Sequence, residues 1–369
     1  MTIFQTSRWE GARALWFGSV LATMFAFGCG GEQSSAPAKG TTESSEGESE
    51  PRADIVIESE PQANATARVP RSQVPDTTGR PRVVGYLQVW RNRDPSKIDF
   101  DTLTHLCLAF ANPPAGDPAV KFPKENEPSI RDLVHAAHEK GVKVLASIGG
   151  GDLATAQPLF DHIKNNRGDQ VIRSLVELVR DYSLDGIDVD LEGDHVKSSY
   201  EPFVQALATA LPETKLLTAA VKTWESDDAP YFPDGALAEF NFINIMAYDD
   251  GGGMPADHSS MENANRDLRY WEDRIHDASR VVLGVPFYAH CWGQGCPRGL
   301  LSYAEALAFD SGAALFDRIT TDTYDLSLNR PQTIADKASL AKTKGGIMIW
   351  ELGQDSADGA LFSAVRAAQ

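Results

Sequence analysis

Beyond residue 80, short apolar runs alternate with segments whose apolar residues have helical spacing. The runs 82–90 and 103–111 are rich in Val, Leu and aromatic residues and are typical of buried strands. From Ile130 onward, apolar residues recur at i, i+3, i+4 and i+7, and Gly141 follows as a helix stop. This part of the chain is therefore predicted to alternate between strands and helices.

Eight strands are predicted in this way, and a last helix over residues 356–369 follows them. The predicted strands are 82–90, 103–111, 142–150, 186–192, 216–221, 242–248, 281–288 and 346–350. Eight strands that alternate with helices indicate an α/β protein with a (β/α)8 TIM barrel. The competing fold is an open doubly wound sheet, which usually has a Gly-rich phosphate loop after its first strand. The first strand here instead runs into Trp90-Arg91-Asn92.

The N-terminus has the pattern of an export signal. Arg8 and Arg13 precede the apolar stretch 14–28, which is short for a membrane-spanning helix. A small residue directly before the single Cys29 resembles a bacterial lipoprotein processing site. We therefore predict a signal peptide over residues 1–29.

Lipidation of Cys29 would anchor the exported chain to a membrane of the cell envelope. Gly30 after Cys29 favours the outer membrane. The alternative is an ordinary signal peptide that is cut after Ala38, which would leave a secreted protein.

Residues 30–79 are rich in Ser, Glu, Thr, Pro and Gly and contain almost no aromatic residues. Such a composition cannot bury a hydrophobic core. We predict a disordered tether over residues 30–79 and a folded domain over residues 80–369.

The overall charge limits the kinds of molecule that the chain is expected to bind. The chain has 34 Lys and Arg against 52 Asp and Glu, a formal net charge of −18. Phosphate recognition needs clustered basic residues, so a nucleic-acid partner is not expected. A neutral, sugar-like substrate fits this excess of acidic residues better than a polyanion does.

Three cysteines follow Cys29. Cys107 lies in an apolar strand and is predicted to be a buried thiol. Cys291 and Cys296 are five positions apart, and in an oxidising compartment they would close a small disulfide loop. A metal site is not expected there, because neither a CxxC partner nor suitably spaced histidines are present.

The fourth strand carries three carboxyl groups. Asp188, Asp190 and Glu192 share one parity, so they would point into the barrel towards its C-terminal end, where such folds hold their sites. Three crowded like charges cannot all ionise freely, and one of them, most naturally the outermost, should keep its proton near neutral pH. A carboxylic acid held in this way can act as an acid catalyst.

Two other interpretations of this strand are an exposed acidic edge and a calcium loop. The calcium loop lacks its Glu, because the twelfth position is Ser199. The interleaved Ile187, Val189 and Leu191 suit a buried strand better than an exposed edge.

Residues at the ends of two other strands are also typical of a sugar-binding site. Met246 and Tyr248 share a parity on the sixth strand, and Asp249 follows them. Trp350 ends the eighth strand, where it would stack on the apolar face of a sugar ring, unless it only packs the core.

These residues resemble glycoside hydrolase family 18, the chitinase family. Segment 185–192 (DGIDVDLE) is similar to the family's DGxDxDxE signature, 147–150 (SIGG) to its SxGG motif and 246–249 (MAYD) to its MxYD motif. Segment 346–350 is similar to its last strand, and the likeness covers residues 82–369.

The resemblance implies a substrate-assisted retaining mechanism, in which the N-acetyl oxygen of the substrate attacks the anomeric carbon. It implies Glu192 as acid and base, Asp190 as the group that orients the acetamido group, and Asp188 as its proton-exchange partner. Tyr248 would hydrogen-bond the N-acetyl oxygen. The implied substrate-binding residues are Tyr86, Phe110, Met246, Asp249, Tyr288 and Trp350. Neither a cofactor nor a metal is expected.

The sequence also departs from the family pattern. Ala289 and His290 stand where Gly and Arg are common, so His290 or Trp292 would replace a substrate contact. The stretch between the seventh and eighth strands is short for the α+β insertion of many members, which predicts a shallower groove.

The function predicted from the resemblance is hydrolysis of β-1,4-linked N-acetylglucosamine polymers such as chitin and chito-oligosaccharides. The enzyme would be a monomer, held at a membrane by its N-terminal lipid. Three alternatives are an endo-β-N-acetylglucosaminidase that cuts N-glycans, a peptidoglycan-directed hydrolase and a non-catalytic surface lectin. The presence of Glu192 favours an enzyme.

Overall fold

The computed structural model describes residues 70–73, 80–90, 94–192, 198–222, 232–251 and 255–369. All of them belong to one unit of the chain, Asn64–Gln369. The predicted signal peptide, Cys29 and nearly all of the predicted tether lie outside the described residues. Among the residues that are described, no helix has both the length and the apolar composition needed to cross a membrane.

The described strands form a barrel and a smaller sheet. They are β1 (Arg82–Gln88), β2 (His105–Ala109), β3 (Lys143–Gly149), β4 (Gly186–Asp190), β5 (Leu216–Lys222), β6 (Phe242–Met246), β7 (Val281–Pro286), β8 (Tyr288–Trp292), β9 (Leu300–Ser302), β10 (Arg318–Thr320), β11 (Asp325–Ser327) and β12 (Gly346–Trp350). Strands β1 to β7 and β12 pair in parallel and close into a barrel, β12 lying between β7 and β1. The predicted TIM barrel is confirmed.

Helices connect the barrel strands and surround them. They are α1 (Glu127–Glu139), α2 (Leu153–His162), α3 (Gly168–Asp181), α4 (Tyr200–Ala210), α5 (Asp234–Leu237), α6 (Met261–Ile275), α7 (Tyr303–Phe309), α8 (Pro331–Ala341) and α9 (Ala360–Ala368). Helix α1 buries the apolar positions that predicted it, from Ile130 to Ala137. Helix α9 begins later than predicted, because Gly359 directly before it has a left-handed φ of 67°.

One expectation about the segment after β7 is wrong. The predicted seventh strand ends at Pro286, and Tyr288 begins the separate strand β8. The segment between β7 and β12 holds a small α+β insertion, namely α7 and an antiparallel sheet in the order β10-β11-β8-β9, and the shallower groove stays a prediction. Three of these strands are only three residues long, too short for an alternating pattern to reveal them.

Strand parity separates two buried regions. Ile187 and Val189 of β4 belong to the large apolar core between the barrel and its helices. Asp188 and Asp190 have the opposite parity and are buried inside the barrel. A smaller apolar cluster shares this interior, and Tyr86, Met246 and Tyr248 are among its members. The alternation along β4 therefore places carboxyl groups inside an otherwise apolar barrel.

Candidate active site

Asp188 is the most deeply buried of the three carboxyl groups at residues 188, 190 and 192. Its Oδ2 accepts hydrogen bonds from the Tyr86 hydroxyl at 2.7 Å and the Ser147 hydroxyl at 2.8 Å. Its Oδ1 accepts one from the Thr218 hydroxyl at 2.6 Å, and the Asn244 amide lies 3.5 Å away. Burial raises the pKa of Asp188, and these donors oppose the rise.

Asp190 is also buried, but no comparable set of hydrogen bonds from the described residues holds it. It is 3% exposed, and its Oδ1 has no hydrogen-bond partner among the described residues. Burial, followed by the nearby charges of Glu192 and Asp188, raises the pKa of Asp190 well above its ordinary value. Asp190 is therefore the carboxyl group of this strand that most readily keeps a proton.

Glu192 lies just beyond the end of β4, where it forms an ion pair with Lys222 at the end of β5. The Lys222 ammonium donates to Glu192 Oε2 at 2.7 Å, and both side chains are largely buried. Burial alone would lower the pKa of Lys222, but the charge of Glu192 outweighs it, and the net shift is upward. Lys222 is therefore a fixed positive charge beside the outermost carboxylate.

Tyr248 and Asp249 close another side of the site. Burial, and then the charge of Asp190, raises the pKa of Tyr248 well above its ordinary value, so its hydroxyl stays protonated. Asp249 has a left-handed φ of 63°. Its Oδ1 accepts hydrogen bonds from the Tyr288 hydroxyl at 2.5 Å and from His290 Nε2 at 2.7 Å. These donors, together with His258, outweigh burial and lower the pKa of Asp249.

Aromatic rings continue the site outward. Trp350 lies against Tyr86 inside the barrel, with 5.6 Å between ring centroids. Phe110 stacks on Trp350 at 5.8 Å, and Trp90 stacks on Phe110 at 6.5 Å. We call Trp90, Phe110 and Trp350 the aromatic row. Trp90 is 49% exposed, so the row runs from the barrel interior to solvent.

Two glycines after β3 allow this close packing. Gly149 has a φ of 100°, and a Cβ there would lie 2.1 Å from the Asp190 carbonyl oxygen. Gly150 has a φ of 94°, and a Cβ there would lie 2.5 Å from the Phe110 ring. No larger residue fits either position, because both the backbone angle and the space exclude it.

The structure brings the sequence-predicted site residues together around the barrel mouth. The carboxyl groups of β4 interact with one another and with Tyr248, while Met246 and Tyr288 belong to the same interior cluster. Outside this site, a disulfide joins Cys291 and Cys296, and Cys107 is a buried free thiol.

Several residues of the site were not found from the sequence. They are Thr218, Lys222, Asn244, His258 and Trp90. Ser147 was part of the SxGG-like segment, but its hydrogen bond to Asp188 was not predicted. Ser147 and Thr218 lie opposite Asp188 on the neighbouring strands β3 and β5, and Asn244 reaches it from β6, so the register between strands brings them to Asp188. The parity of β5, which puts Thr218 and Lys222 on one face, was a usable signal for Lys222.

Comparisons with known proteins agree with this geometry. Residues 82–355 match the Glycosyl hydrolases family 18, so the chain belongs to that family. The family consists in general of glycoside hydrolases, and this chain has its chitinase-like (β/α)8 fold.

Individual relatives are distant. The chain is 25% identical to a class V chitinase of Arabidopsis thaliana, over 73% of this chain and 85% of that protein. It is 24% identical to chitotriosidase-1 of Mus musculus, over 72% of this chain and 70% of that protein. Among solved structures, the GH18 chitinase ChiB from the chitin utilization locus of Flavobacterium johnsoniae is 31% identical. The match has a TM-score of 0.69 and covers 78% of this chain and 94% of that one.

Proposed function

We propose that this chain hydrolyses β-1,4-linked N-acetylglucosamine polymers with retention of configuration, using the acetamido group of the substrate as nucleophile. The observation that carries the proposal is the inward column of Asp188, Asp190 and Glu192 beside Tyr248. Glu192 is the outermost member and protonates the glycosidic oxygen before it activates water. No second carboxylate is needed as nucleophile in this mechanism.

The other members of the site stabilise the charge that develops on the acetamido group. Asp190 accepts a hydrogen bond from the acetamido N–H, which fixes the carbonyl oxygen towards the anomeric carbon. Asp188 shares the proton that burial keeps on this pair. The protonated Tyr248 hydroxyl donates to the acetamido oxygen.

The aromatic row that includes Trp350 supports this choice of substrate class. An exposed aromatic row beside buried carboxyl groups suits a neutral sugar chain, whose rings have apolar faces. Structures of similar fold include a GH18 chitinase from Cycas revoluta in complex with (GlcNAc)3, with 23% identity, a TM-score of 0.67 and coverage of 78% of this chain and 99% of that one.

The test is the Glu192→Gln variant of the full chain. We expect loss of hydrolysis of chito-oligosaccharides by at least three orders of magnitude, with binding retained, because the amide keeps the shape but has no proton to give. Mass spectrometry reads the products and calorimetry the binding. The matched control is Glu177→Gln on the exposed face of α3, which should leave turnover unchanged.

Other outcomes would redirect or refute the proposal. Trimming of a high-mannose glycoprotein, with the oligosaccharides untouched, would indicate an endo-β-N-acetylglucosaminidase. Cleavage of peptidoglycan only would indicate a cell-wall enzyme. Sugar binding without any hydrolysis by the unaltered chain would indicate a lectin, and unchanged turnover in Glu192→Gln would refute the mechanism.

We also propose that the chain is exported and lipidated at Cys29, and that the mature protein is a monomer. The support for export and lipidation is the sequence pattern of residues 1–29. Mass spectrometry of the mature N-terminus tests the lipid: an unmodified terminus beyond Cys29 would contradict it. Sedimentation of the detergent-solubilised protein tests the oligomeric state.

A further inference from the structure

A cluster of metal-ligand side chains lies next to the proposed catalytic residues. Asp249, His258 and His290 each offer one ligand atom, and the three atoms lie within 4.8 Å of one another. Asp249 follows β6, His290 lies in β8, and His258 comes from the segment before α6. Asp249 belongs to the segment 246–249 that resembles the MxYD motif, whereas His258 and His290 lie outside the segments that carried the resemblance.

The geometry points to a site for a divalent transition-metal cation of the zinc class, held by Asp249, His258 and His290. Two imidazoles and one carboxylate are the protein ligands of many zinc sites, which leave a further position open. Imidazole nitrogen also selects against Ca²⁺ and Mg²⁺, which prefer oxygen ligands. This proposal differs from the sequence-based expectation that no metal binds.

The second observation that supports a metal site concerns the hydrogen bonding of His258. Its side chain is fully buried, yet neither ring nitrogen has a hydrogen-bond partner among the described residues. The nearest acceptor is Asp249 Oδ1, 3.6 Å from Nδ1, which is too long for a hydrogen bond. A buried polar group without a partner costs free energy, so such a group needs an explanation. A metal ion between His258 and Asp249 would satisfy one of the two nitrogens, and Nδ1 is the one nearer to Asp249.

The other two ligands are placed to complete the site. His290 Nε2 lies 2.7 Å from Asp249 Oδ1, and the rings of His258 and His290 are 4.7 Å apart between centroids. Tetrahedral ligands at about 2.0–2.2 Å from an ion lie roughly 3.3–3.6 Å from one another. The longest separation must therefore shorten by about 1 Å, and the 2.7 Å contact must lengthen by slightly less. The His290 side chain is 19% exposed.

The surroundings provide a supporting hydrogen bond and an open side. The Tyr288 hydroxyl donates to Asp249 Oδ1, as second-sphere groups do when they orient a ligating carboxylate. The Asp249 side chain is 42% exposed, so an ion bound there is accessible from solvent. The ion would lie beside the cleft while Glu192, which pairs with Lys222, remains outside its ligand set.

The test measures metal binding without any sugar, so its result is independent of the proposed hydrolysis. The full chain is stripped with a chelator, dialysed and titrated with Zn²⁺ by calorimetry. Co²⁺ is then added as a spectroscopic probe, since its visible bands report nitrogen ligation. We expect one Zn²⁺ per chain at this site and a Co²⁺ spectrum with nitrogen ligands.

Two ligand variants and one control locate the ion. His290→Gln and Asp249→Asn should each weaken Zn²⁺ binding at least tenfold, and His258→Gln is tested as well although its burial threatens folding. Circular dichroism checks that each variant is folded. The control is His135→Gln, because His135 pairs with Glu139 on the exposed face of α1 and is the kind of surface pair that binds zinc adventitiously.

Two results would overturn the proposal. The first is the absence of Zn²⁺ uptake by the stripped chain. The second is uptake that His290→Gln and Asp249→Asn leave unchanged, particularly if His135→Gln removes it. In either case the cluster would be a hydrogen-bonded group around Asp249 rather than a metal site.

Discussion

Asp188 and Asp190 are two residues apart on β4, yet their surroundings differ sharply. Asp188 accepts three hydrogen bonds of 2.8 Å or less, whereas Asp190 Oδ1 accepts none among the described residues. The protein thus fixes one carboxyl group and leaves the next one poised to keep or exchange a proton. This difference between neighbouring residues of one strand supports the division of roles that we propose.

Asp190→Asn should increase stability at neutral pH. The raised pKa of Asp190 means that the folded state binds its proton more tightly than the unfolded chain does. Its favourable contribution to stability is therefore present below the ordinary carboxyl pKa of about 3.9 and is lost as pH rises through the folded-state value. The amide stays neutral at every pH. We expect an unfolding midpoint roughly 2 °C or more above that of the unaltered chain at pH 7.

The gain should shrink towards zero as the pH falls to about 4, where the unaltered carboxyl group is also neutral. Thermal unfolding followed by circular dichroism across this range measures it. Asp132→Asn, an exposed position on α1, is the control and should give no pH-dependent difference. A gain that is constant with pH would contradict the assigned cause, because packing rather than ionisation would then explain it.

The ion pair between Lys222 and Glu192 should couple the two residues energetically. Both side chains are mostly buried, and a hydrogen bond between charged groups contributes about 1.5–3 kcal/mol. A double-mutant cycle with Lys222→Met and Glu192→Gln should therefore give a coupling of about 1–3 kcal/mol in the free energy of unfolding. Urea unfolding of the four proteins measures the coupling.

The exposed ion pair between Lys140 and Asp101 is the matched control. Its atoms are 2.9 Å apart, similar to the 2.7 Å of the buried pair, but both side chains are at least half exposed. Solvent screens such a pair, so we expect a much smaller coupling. Equal couplings in the two cycles would mean that burial does not strengthen the Lys222 pair.

At the scale of elements, the aromatic row extends the site from β12 outward. Trp350 ends β12, Phe110 follows β2, and Trp90 follows β1, so barrel closure brings three strand ends into one row. A row of this kind offers successive apolar faces to successive sugar rings. The exposed Trp90 at its outer end would then contact only the longer substrates.

Trp90→Ala should therefore weaken the longest chito-oligosaccharides and spare the shortest. The loss of one stacking contact of about 0.5–1.5 kcal/mol predicts a rise in KM of roughly 2–10-fold for long substrates, with kcat little changed. Steady-state kinetics over a series of chain lengths measures the effect. Phe316→Ala removes an aromatic side chain that is 58% exposed and lies outside the row, and it should leave every KM unchanged. An equal loss at all lengths would place Trp90 outside the sugar path.

At the scale of the whole molecule, the sequence could predict what local repetition encodes. Eight apolar runs predicted the barrel, and the period of two along β4 predicted that Asp188 and Asp190 point inward. It could not predict side-chain pairings that depend on the register between strands or on the path of a loop, such as Lys222 with Glu192 or His258 with Asp249. Nor could it reveal strands of three residues such as β9 to β11, because such strands are too short to establish a period.

The net charge of −18 belongs to the whole chain, and it should affect substrates according to their own charge. Fully acetylated chito-oligosaccharides are neutral, whereas partly deacetylated ones carry ammonium groups. A negative protein field attracts cationic ligands, and salt screens that attraction over a Debye length of about 10 Å at 0.1 M. If the acidic surface steers the substrate, raising the salt from about 0.02 to 0.5 M should lower kcat/KM for the cationic oligosaccharides roughly twofold or more and leave the neutral ones unchanged. Parallel kinetics on both substrates at matched length measures this; equal salt effects on the two would mean that the charge serves solubility rather than capture.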